Sequence, residues 1–204
     1  MERYPREEIS QGIARVLTIV LVAILFACGK ATPPPEKLYQ LQPFELVTQE
    51  GAPFHSKRLL GKTWVASFIF TSCRSICPKV TAAMKQLQSL LEKESLPVKL
   101  VTFTVDPEND VPEVLKAYGD KVGSDYRRWV YLTSKDVNAM QQIVVKNFKT
   151  AMGQKLTGKT GIFDIAHTEK LVLVGPEGYI RGYFESIPGA LPRLVAAAKT
   201  LMSK

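Results

Sequence analysis

From residue 43 onward, the chain alternates between short apolar runs and longer amphipathic stretches. The short runs predict β-strands at WVASFIFT (64–71), VKLVTFTV (98–105), LVLV (171–174) and YIRGYF (179–184). The longer stretches predict helices over residues 78–94, 111–121, 136–148 and 191–202. Strands that alternate with helices are typical of an α/β fold, in which helices flank a central sheet.

The last two predicted strands are separated by Gly175-Pro176-Glu177-Gly178, a sequence that suits a tight reversal of the chain. We therefore expect a β-hairpin close to the C-terminus. Residues 149–166 show little periodicity and predict either a long loop or a small hairpin. Ordered segments of this length often carry function.

The first 28 residues have a different character. An uninterrupted apolar run of twelve residues extends from Val16 to Ala27. A membrane-spanning helix needs about 20 such residues, whereas the apolar core of a signal peptide needs roughly 7 to 15. The run ends in Leu25-Phe26-Ala27-Cys28, which resembles a bacterial lipoprotein box, in which Cys28 becomes lipidated. The alternative is a short uncleaved anchor in which Cys28 is an ordinary thiol.

Both interpretations predict an exported protein that is anchored on the periplasmic or extracytoplasmic side of a bacterial membrane. Residues 1–28 are then a signal or anchor, and residues 29–42, with three consecutive prolines, form a Pro-rich tether. Residues 43–204 are expected to form one α/β domain.

The chain is basic, with a formal net charge of +8. Its lysines and arginines are scattered and form neither a nucleic-acid-binding motif nor a tight basic run, so no nucleic-acid partner is expected. An exported protein instead meets anionic lipid and acidic protein surfaces, and a basic face can steer docking to one of these.

A pair of cysteines lies where a buried strand is predicted to end and a helix to begin, in Thr71-Ser72-Cys73-Arg74-Ser75-Ile76-Cys77-Pro78. Pro78 suits the first turn of a helix, and the N–H groups at that helix end favour thiolates. The spacing can bring both sulfur atoms to one point, where they would suit a soft ion such as Cu(I).

A neutral imidazole would complete such a site, and the chain has two histidines. His55 lies in a polar stretch near Lys57 and Arg58, whereas His167 comes just before the strand expected from Lys170. His167 is the better candidate ligand. A lone histidine in a loop is nevertheless more often a solvated or capping residue, so the residues alone leave its role open.

Together these segments resemble the SCO/SenC family of copper proteins that take part in cytochrome c oxidase assembly. The resemblance covers roughly residues 43–202 and is carried by GKTWVASFIFTSCRSICP, VTFTVDPENDVPEVLKAYG and DIAHTEKLVLVGPEGYIRGYF. It implies a thioredoxin-like fold and makes Cys73, Cys77 and His167 the ligands of one copper ion, as Cu(I), Cu(II) or both.

Asp106 matches a family aspartate near the metal site. Its role would be to orient a ligand or to receive a basic group of a partner, and the alternative is that it only caps the turn before the next helix. At Gly175 the chain departs from the family, whose members often have aspartate in this turn. That departure concerns turn geometry and not the ligands.

The resemblance implies a copper chaperone that delivers its ion to the binuclear copper centre of cytochrome c oxidase subunit II. The alternative is a thiol–disulfide oxidoreductase that reduces partner cysteines. Other copper carriers or thioredoxin-like reductases are further possible partners. A peroxide-reducing enzyme is a weaker alternative, because the expected motif spacing is missing. A purely structural Cys73–Cys77 disulfide is the last alternative, and it would abolish copper binding until it is reduced.

Overall fold

The computed structural model describes residues 33–150, 152–157, 163–167 and 169–202, with the backbone alone for 152–157 and 163–167. The chain divides into two units, Met1–Pro33 and Pro34–Lys204, and the strands and helices below all lie in the second. The predicted signal or anchor over 1–28, with Cys28, lies outside the described residues. Within the described ranges, every helix is too short or too polar to cross a membrane.

Nine strands are described, and seven of them form the central sheet. In chain order they are β1 (Glu45–Thr48), β2 (Pro53–His55), β3 (Trp64–Ile69), β4 (Lys99–Thr104), β5 (Trp129–Thr133), β6 (Met152–Thr157), β7 (Phe163–His167), β8 (Lys170–Val174) and β9 (Ile180–Glu185). The central sheet has the order β2-β1-β5-β4-β3-β8-β9, while β6 and β7 form a separate antiparallel hairpin. Residues 149–166 thus contain most of a small hairpin, which was one of the two predicted outcomes.

Four α-helices in the described part of the chain flank the sheet: α1 (Cys77–Lys93), α2 (Pro112–Val122), α3 (Val137–Gln142) and α4 (Leu191–Met202). Short 3-10 helices cover Ser56–Leu59 and Pro188–Ala190. The helix predicted over 136–148 divides into α3 and a π-helical turn at Ile143–Asn147. The mixed sheet with flanking helices and a C-terminal hairpin confirms the predicted thioredoxin-like α/β fold.

The three central strands, β3, β4 and β5, run parallel, whereas the sheet continues antiparallel on both sides. All six residues of β3 are buried, as expected for a strand covered on both faces. On one face, Trp64, Phe68 and Phe103 pack with Phe44 and Phe148 at ring-centroid distances of 5.0–6.5 Å. This aromatic cluster fixes β3 and β4 relative to each other, and with them the residues that follow each strand.

The opposite face contains a buried polar link between the same strands. The hydroxyls of Ser67 and Thr102 are 2.8 Å apart, and the indole N–H of Trp129 donates to Thr102 Oγ1 at 2.8 Å. Because each of these buried polar groups has a partner, the hydrogen bonds offset the cost of desolvation, and the link favours this strand register.

The predicted C-terminal hairpin is formed by β8 and β9, and its turn is built on two glycines. Gly178 has φ +78°, a backbone conformation that residues with a side chain rarely adopt. A Cβ atom on Gly175 would lie 2.8 Å from Nε of Arg181. An aspartate at Gly175 would therefore collide with Arg181, which gives a physical reason for the glycine at this position.

The part of the predicted tether that follows its prolines lies against this hairpin. Leu38 N–H donates to Ile180 O at 2.9 Å, and Leu41 N–H donates to Gly178 O at 2.9 Å. The guanidinium of Arg181, which is only 8% exposed, donates to Pro35 O at 2.7 Å. Residues 35–41 are therefore fastened to the domain and do not act as a free spacer.

Candidate metal centre

The cysteine loop, residues 70–77, connects the carboxyl end of β3 to the amino end of α1. It begins with the buried Phe70, and Cys73 N–H donates to Phe70 O at 3.2 Å, which turns the chain back towards the sheet. The helix begins at Cys77, one residue earlier than predicted, with Pro78 in its first turn. Proline suits this position because its missing N–H would have had no helical partner.

The loop brings the two cysteines together. The backbone N–H of Cys77 donates to Sγ of Cys73 at 3.4 Å, and Phe70 N–H donates to Sγ of Cys77 at 3.5 Å. Ser75 Oγ lies 3.5 Å from Sγ of Cys73. Both side chains are buried and are thiols rather than a disulfide. Backbone N–H groups of the loop and of the first helical turn therefore point at both sulfur atoms.

The two thiols differ in acidity. Burial by itself raises the pKa of Cys73, but hydrogen bonds from Ser75 and Cys77 outweigh it, so the pKa is lowered from its ordinary value. The pKa of Cys77 is raised, first because of burial and then because of its hydrogen bond with Cys73 and the nearby charges of Cys73 and Asp110. Cys73 is therefore the stronger nucleophile of the pair at neutral pH.

Asp110 anchors the cysteine loop to the neighbouring strand, a role that the sequence analysis missed. Its buried carboxylate accepts hydrogen bonds from Thr71 N–H at 3.1 Å, from Thr71 Oγ1 at 2.5 Å and from Thr104 Oγ1 at 2.5 Å. Burial raises the pKa of Asp110 despite these bonds. One carboxylate thus connects the residues after β3 with the end of β4. The available signal was the second aspartate of Asp106-Pro107-Glu108-Asn109-Asp110, directly before a helix.

Asp106 organises the loop that carries Asp110. The side chain of Asp106 is buried and accepts a hydrogen bond from Asn109 Nδ2 at 2.7 Å, while its carbonyl accepts from the N–H groups of Asn109 and Asp110. The N-cap of α2 is Val111, so the Asp106 side chain shapes the turn and does not cap the helix itself. Its carboxylate is also close enough to influence the charge of Asp110.

The two histidines belong to different sheets. His55 ends β2, four strand positions from β3, where Nδ1 lies 3.0 Å from Oε1 of Glu45 on an exposed surface. His167 is the last residue of β7 and comes just before β8, which begins at Lys170 as predicted. Since Val172 of β8 pairs with Ala66 of β3, the chain enters β8 at the carboxyl end of β3. His167 precedes that entry by three residues.

The residues of the predicted metal site and the predicted lipidation site are thus only partly described. Cys73 and Cys77 are brought together, whereas the side chain of His167 and the whole of Cys28 lie outside the described residues. Among the described side chains, no three of the histidine, cysteine and carboxylate type are grouped in a way that could hold a metal ion. The described part of the site is a thiol pair supported by a buried carboxylate.

Comparison with known proteins gives a consistent result over most of the chain. Residues 33–203 match the SCO1/SenC family. An SCO1 protein homolog of Bacillus subtilis (strain 168) is 34% identical over 169 residues, which are 82% of this chain and 86% of that protein.

Solved structures show the same fold. An SCO1/SenC family lipoprotein from Bacillus anthracis superposes with a TM-score of 0.75 at 31% identity, over 83% of this chain and 98% of the other. BsSco, described as a Sco family cytochrome c oxidase assembly protein with a disulfide switch, has a TM-score of 0.74 at 30% identity, over 84% and 99%. Bradyrhizobium japonicum ScoI with copper bound shares the fold at 23% identity, with a TM-score of 0.68 over 79% and 99%.

Proposed function

Because the chain belongs to the SCO1/SenC family, we propose that it is a copper carrier that takes part in cytochrome c oxidase assembly. Cys73 and Cys77 would hold the ion and His167 would complete its coordination. The recipient would be the binuclear copper centre of oxidase subunit II. The observation that carries the proposal is the juxtaposition of two buried thiols at a helix start, with backbone N–H groups pointing at both sulfur atoms.

The chemistry of this donor set fits the cargo. Thiolates are soft ligands that prefer Cu(I), and two of them leave a coordination position for a neutral imidazole. The register that places the entry to β8 at the carboxyl end of β3 supports His167 as that third ligand. A carrier must also release its ion, and a site of few ligands allows the thiolates of a partner to displace them one at a time.

The export and membrane anchoring predicted from residues 1–28 belong to the same proposal. A structural relative from Bacillus anthracis is described as a lipoprotein, which supports lipidation of Cys28. A lipidated chain would present its copper site on the extracytoplasmic side of the membrane.

A second candidate function is reduction of partner disulfides, which is favoured by the lowered pKa of Cys73 and by the disulfide switch described for BsSco. The thiolate of Cys73 would attack a partner disulfide, form a mixed disulfide and release one partner thiolate. Cys77, once deprotonated, would then displace the second partner thiolate and leave a Cys73–Cys77 disulfide. Two electrons pass to the partner in this sequence.

Copper stoichiometry separates the two functions. The detergent-solubilised, reduced full chain is titrated with Cu(I) under anaerobic conditions, beside the Cys73→Ser, Cys77→Ser and His167→Ala variants. We expect about one copper per chain, with binding abolished or strongly weakened in each variant. His55→Ala serves as the control and keeps full binding. If none of these three variants loses copper binding and the chain turns over a disulfide substrate, its function is the reduction of partner disulfides.

A further inference from the structure

The amino ends of the three parallel strands carry a group of basic residues that the copper site does not use. Lys62 comes two residues before β3, Lys99 begins β4, and Arg127 and Arg128 precede β5. Register brings these starts side by side, because Lys99 pairs with Trp64 and Leu100 pairs with Trp129. Arg58 of the first 3-10 helix joins them. We call the cavity that these five residues line the basic pocket.

The basic pocket has a volume of about 200 Å³, and its remaining walls are Thr48, Phe54, Leu59, Val101, Tyr126 and Val130. On this measure of volume ~10–15 Å³ is enough to admit one water molecule, so the basic pocket has room for a phosphate group with part of its hydration. None of the described residues that line it is acidic. A concave site with several cations and no lining anion is suited to an anionic ligand.

Several of these cations have capacity for a ligand. Arg58 is held over the ring of Phe54 at 5.4 Å, and neither Arg58 nor Lys62 has an acidic partner among the described residues. The guanidinium of Arg128 donates to Leu96 O and to Val98 O, and the ammonium of Lys99 donates to Arg127 O at 2.8 Å, so these two residues contribute mainly their charge to the basic pocket. Arg127 alone is neutralised locally, by Asp125 at 2.9 Å. Guanidinium and ammonium groups in this arrangement match the oxygens of a phosphate.

The position of the basic pocket indicates where its ligand comes from. The turn of the β8–β9 hairpin lies at the same end of the sheet, where the parallel strands begin, since Gly61 N–H donates to Pro176 O at 2.9 Å. The tether is fastened at that turn through Pro35 and through Lys37, whose Nζ lies 3.5 Å from Glu177. Six residues lie between Cys28 and Pro35, and the seven Cα–Cα steps from one to the other span at most about 25 Å. An anchor at Cys28 would keep this end of the sheet close to the membrane surface.

We propose that the basic pocket binds the phosphate groups of anionic phospholipids in the membrane that holds the chain. The identification of the ligand as a lipid rests on the proposed membrane anchoring. The inference that the basic pocket binds an anion does not depend on that anchoring. The cysteines lie at the opposite, carboxyl ends of the same strands, about 20 Å away along six residues of β3. Lipid bound in the pocket would therefore orient the cysteine loop away from the membrane, towards a partner.

The test measures how fast individual lysines of the full chain react with an amine-acylating reagent in lipid nanodiscs. Nanodiscs of phosphatidylcholine alone are compared with nanodiscs that contain one quarter phosphatidylglycerol, and each lysine is quantified by mass spectrometry. We expect Lys62 and Lys99 to react at least threefold more slowly with phosphatidylglycerol present. Lys79, an exposed residue near the start of α1 at the cysteine end, is the internal control and should not change.

Two variants control for the charge of the chain. In Arg58→Gln/Arg127→Gln the protection of Lys62 and Lys99 should fall to less than half, whereas Arg193→Gln, on the exposed surface of α4, should leave it intact. Copper stoichiometry is measured on the same samples and should be unchanged. A failure of the pocket is therefore distinguishable from a failure of the proposed copper site.

Four results would overturn the proposal. No protection by phosphatidylglycerol excludes lipid binding, and equal protection of Lys79 shows only diffuse attraction between a basic protein and an anionic surface. If inorganic phosphate added to phosphatidylcholine nanodiscs protects Lys62 and Lys99 as strongly as the lipid does, the ligand is a free anion. If polyglutamate protects them and lipid does not, the pocket belongs to an acidic protein partner.

Discussion

At the scale of single residues, the two cysteines are chemically unequal although they share one loop. Cys73 accepts hydrogen bonds that stabilise its thiolate. Cys77 is more deeply buried, and its backbone N–H donates one of those hydrogen bonds to Sγ of Cys73. This asymmetry serves either function proposed above. In copper transfer, Cys77 would be the ligand that is displaced more easily by protonation, because its pKa is the higher one. In disulfide exchange, Cys73 would be the attacking thiol and Cys77 the resolving one.

The asymmetry predicts the order of alkylation. In the reduced, copper-free chain at pH 7, Cys73 should react with iodoacetamide at least tenfold faster than Cys77, because its thiolate fraction is larger and its side chain is less buried. Peptide mapping at low conversion measures both rates in the same sample. Ser75→Ala removes one hydrogen bond to Cys73 and should lower the ratio of the Cys73 alkylation rate to the Cys77 alkylation rate. Equal rates for the two cysteines would show that the loop does not differentiate them.

Asp110 predicts a separate effect on the cysteine loop. In Asp110→Ala, Thr71 N–H loses its acceptor and two threonine hydroxyls lose theirs, which should lower the free energy of unfolding by about 2 kcal/mol. The affinity for Cu(I) should fall as well, because the loop that positions Cys73 is no longer fastened to β4. Urea denaturation and competition with a Cu(I) chelator measure the two effects.

Conservative and remote variants separate position from charge at Asp110. Asp110→Asn keeps an acceptor oxygen and removes a charge that is costly to bury, so its copper affinity should lie between those of the parent and Asp110→Ala. Asp120→Asn, whose carboxylate is paired with Lys116 on the surface, should change neither property appreciably. Parent-like copper affinity in Asp110→Ala would rule out the positioning role.

At the scale of secondary-structure elements, the sequence predicts those with a strong hydrophobic pattern. β3, β4, β8 and β9 were predicted close to their final bounds because each is a compact apolar run. β1 and β2 have only four and three residues, too few to establish a period, and they exist because they pair with each other and β1 pairs with β5. Such short strands depend on tertiary pairing that no local pattern contains.

The candidate site shows the same division. The motif cysteines could be placed at a strand–helix junction from sequence, because Pro78 and the buried strand before them are local signals. Asp110 could not be assigned, since its function depends on hydrogen bonds to Thr71, which is 39 residues away in the chain. The fastening of the tether was missed for a similar reason, because prolines at 33–35 indicate local stiffness and carry no information about the distant Arg181.

The β8–β9 hairpin predicts a pH-dependent contribution to stability. Hydrogen bonds from Arg181 lower the pKa of Glu177 from its ordinary value of 4.5 to about 2, with a smaller contribution from the charge of Lys37. A carboxyl whose pKa is lowered by folding stabilises the folded chain above its unfolded pKa. That stabilisation is lost as the pH falls from about 4.5 towards 2.

Glu177→Gln should therefore lower the free energy of unfolding at pH 7 by about 1 kcal/mol, a value reduced for the partial exposure of the carboxylate. The difference between parent and variant should shrink as the pH falls below 4.5, and urea denaturation at several pH values measures it. Glu36→Gln removes the same charge from the exposed tether and serves as the control. A difference that stays constant down to pH 3 would contradict the ion-pair explanation.

At the scale of the whole molecule, the parallel strands separate two kinds of chemistry. Their carboxyl ends lead to Cys73, Asp106 and Asp110, whereas their amino ends carry the cations of the basic pocket. A rigid, fully buried β3 holds the two ends at a fixed distance. This separation suits the proposed copper carrier, whose site would be directed away from the membrane that is proposed to anchor it.

This separation predicts that copper stabilises the chain independently of the basic pocket. A ligand that binds only the folded state at 100 times its dissociation constant adds about 2.7 kcal/mol, which raises the Tm of a domain of this size by roughly 5–10 °C. Reduced full chain in buffered Cu(I) should show such a rise in a thermal scan. Arg58→Gln/Arg127→Gln should retain the full shift, because its substitutions lie at the other end of the strands.

The same scan distinguishes a copper carrier from a chain whose cysteines serve only as a disulfide. Cys73→Ser should lose the shift, and so should the oxidised parent, because a Cys73–Cys77 disulfide leaves no thiolate to bind the ion. Reduction of the oxidised sample should restore the shift completely. If the oxidised chain and Cys73→Ser were stabilised by copper as much as the reduced parent, the ion would be bound elsewhere, and the thiol pair would not be the copper site.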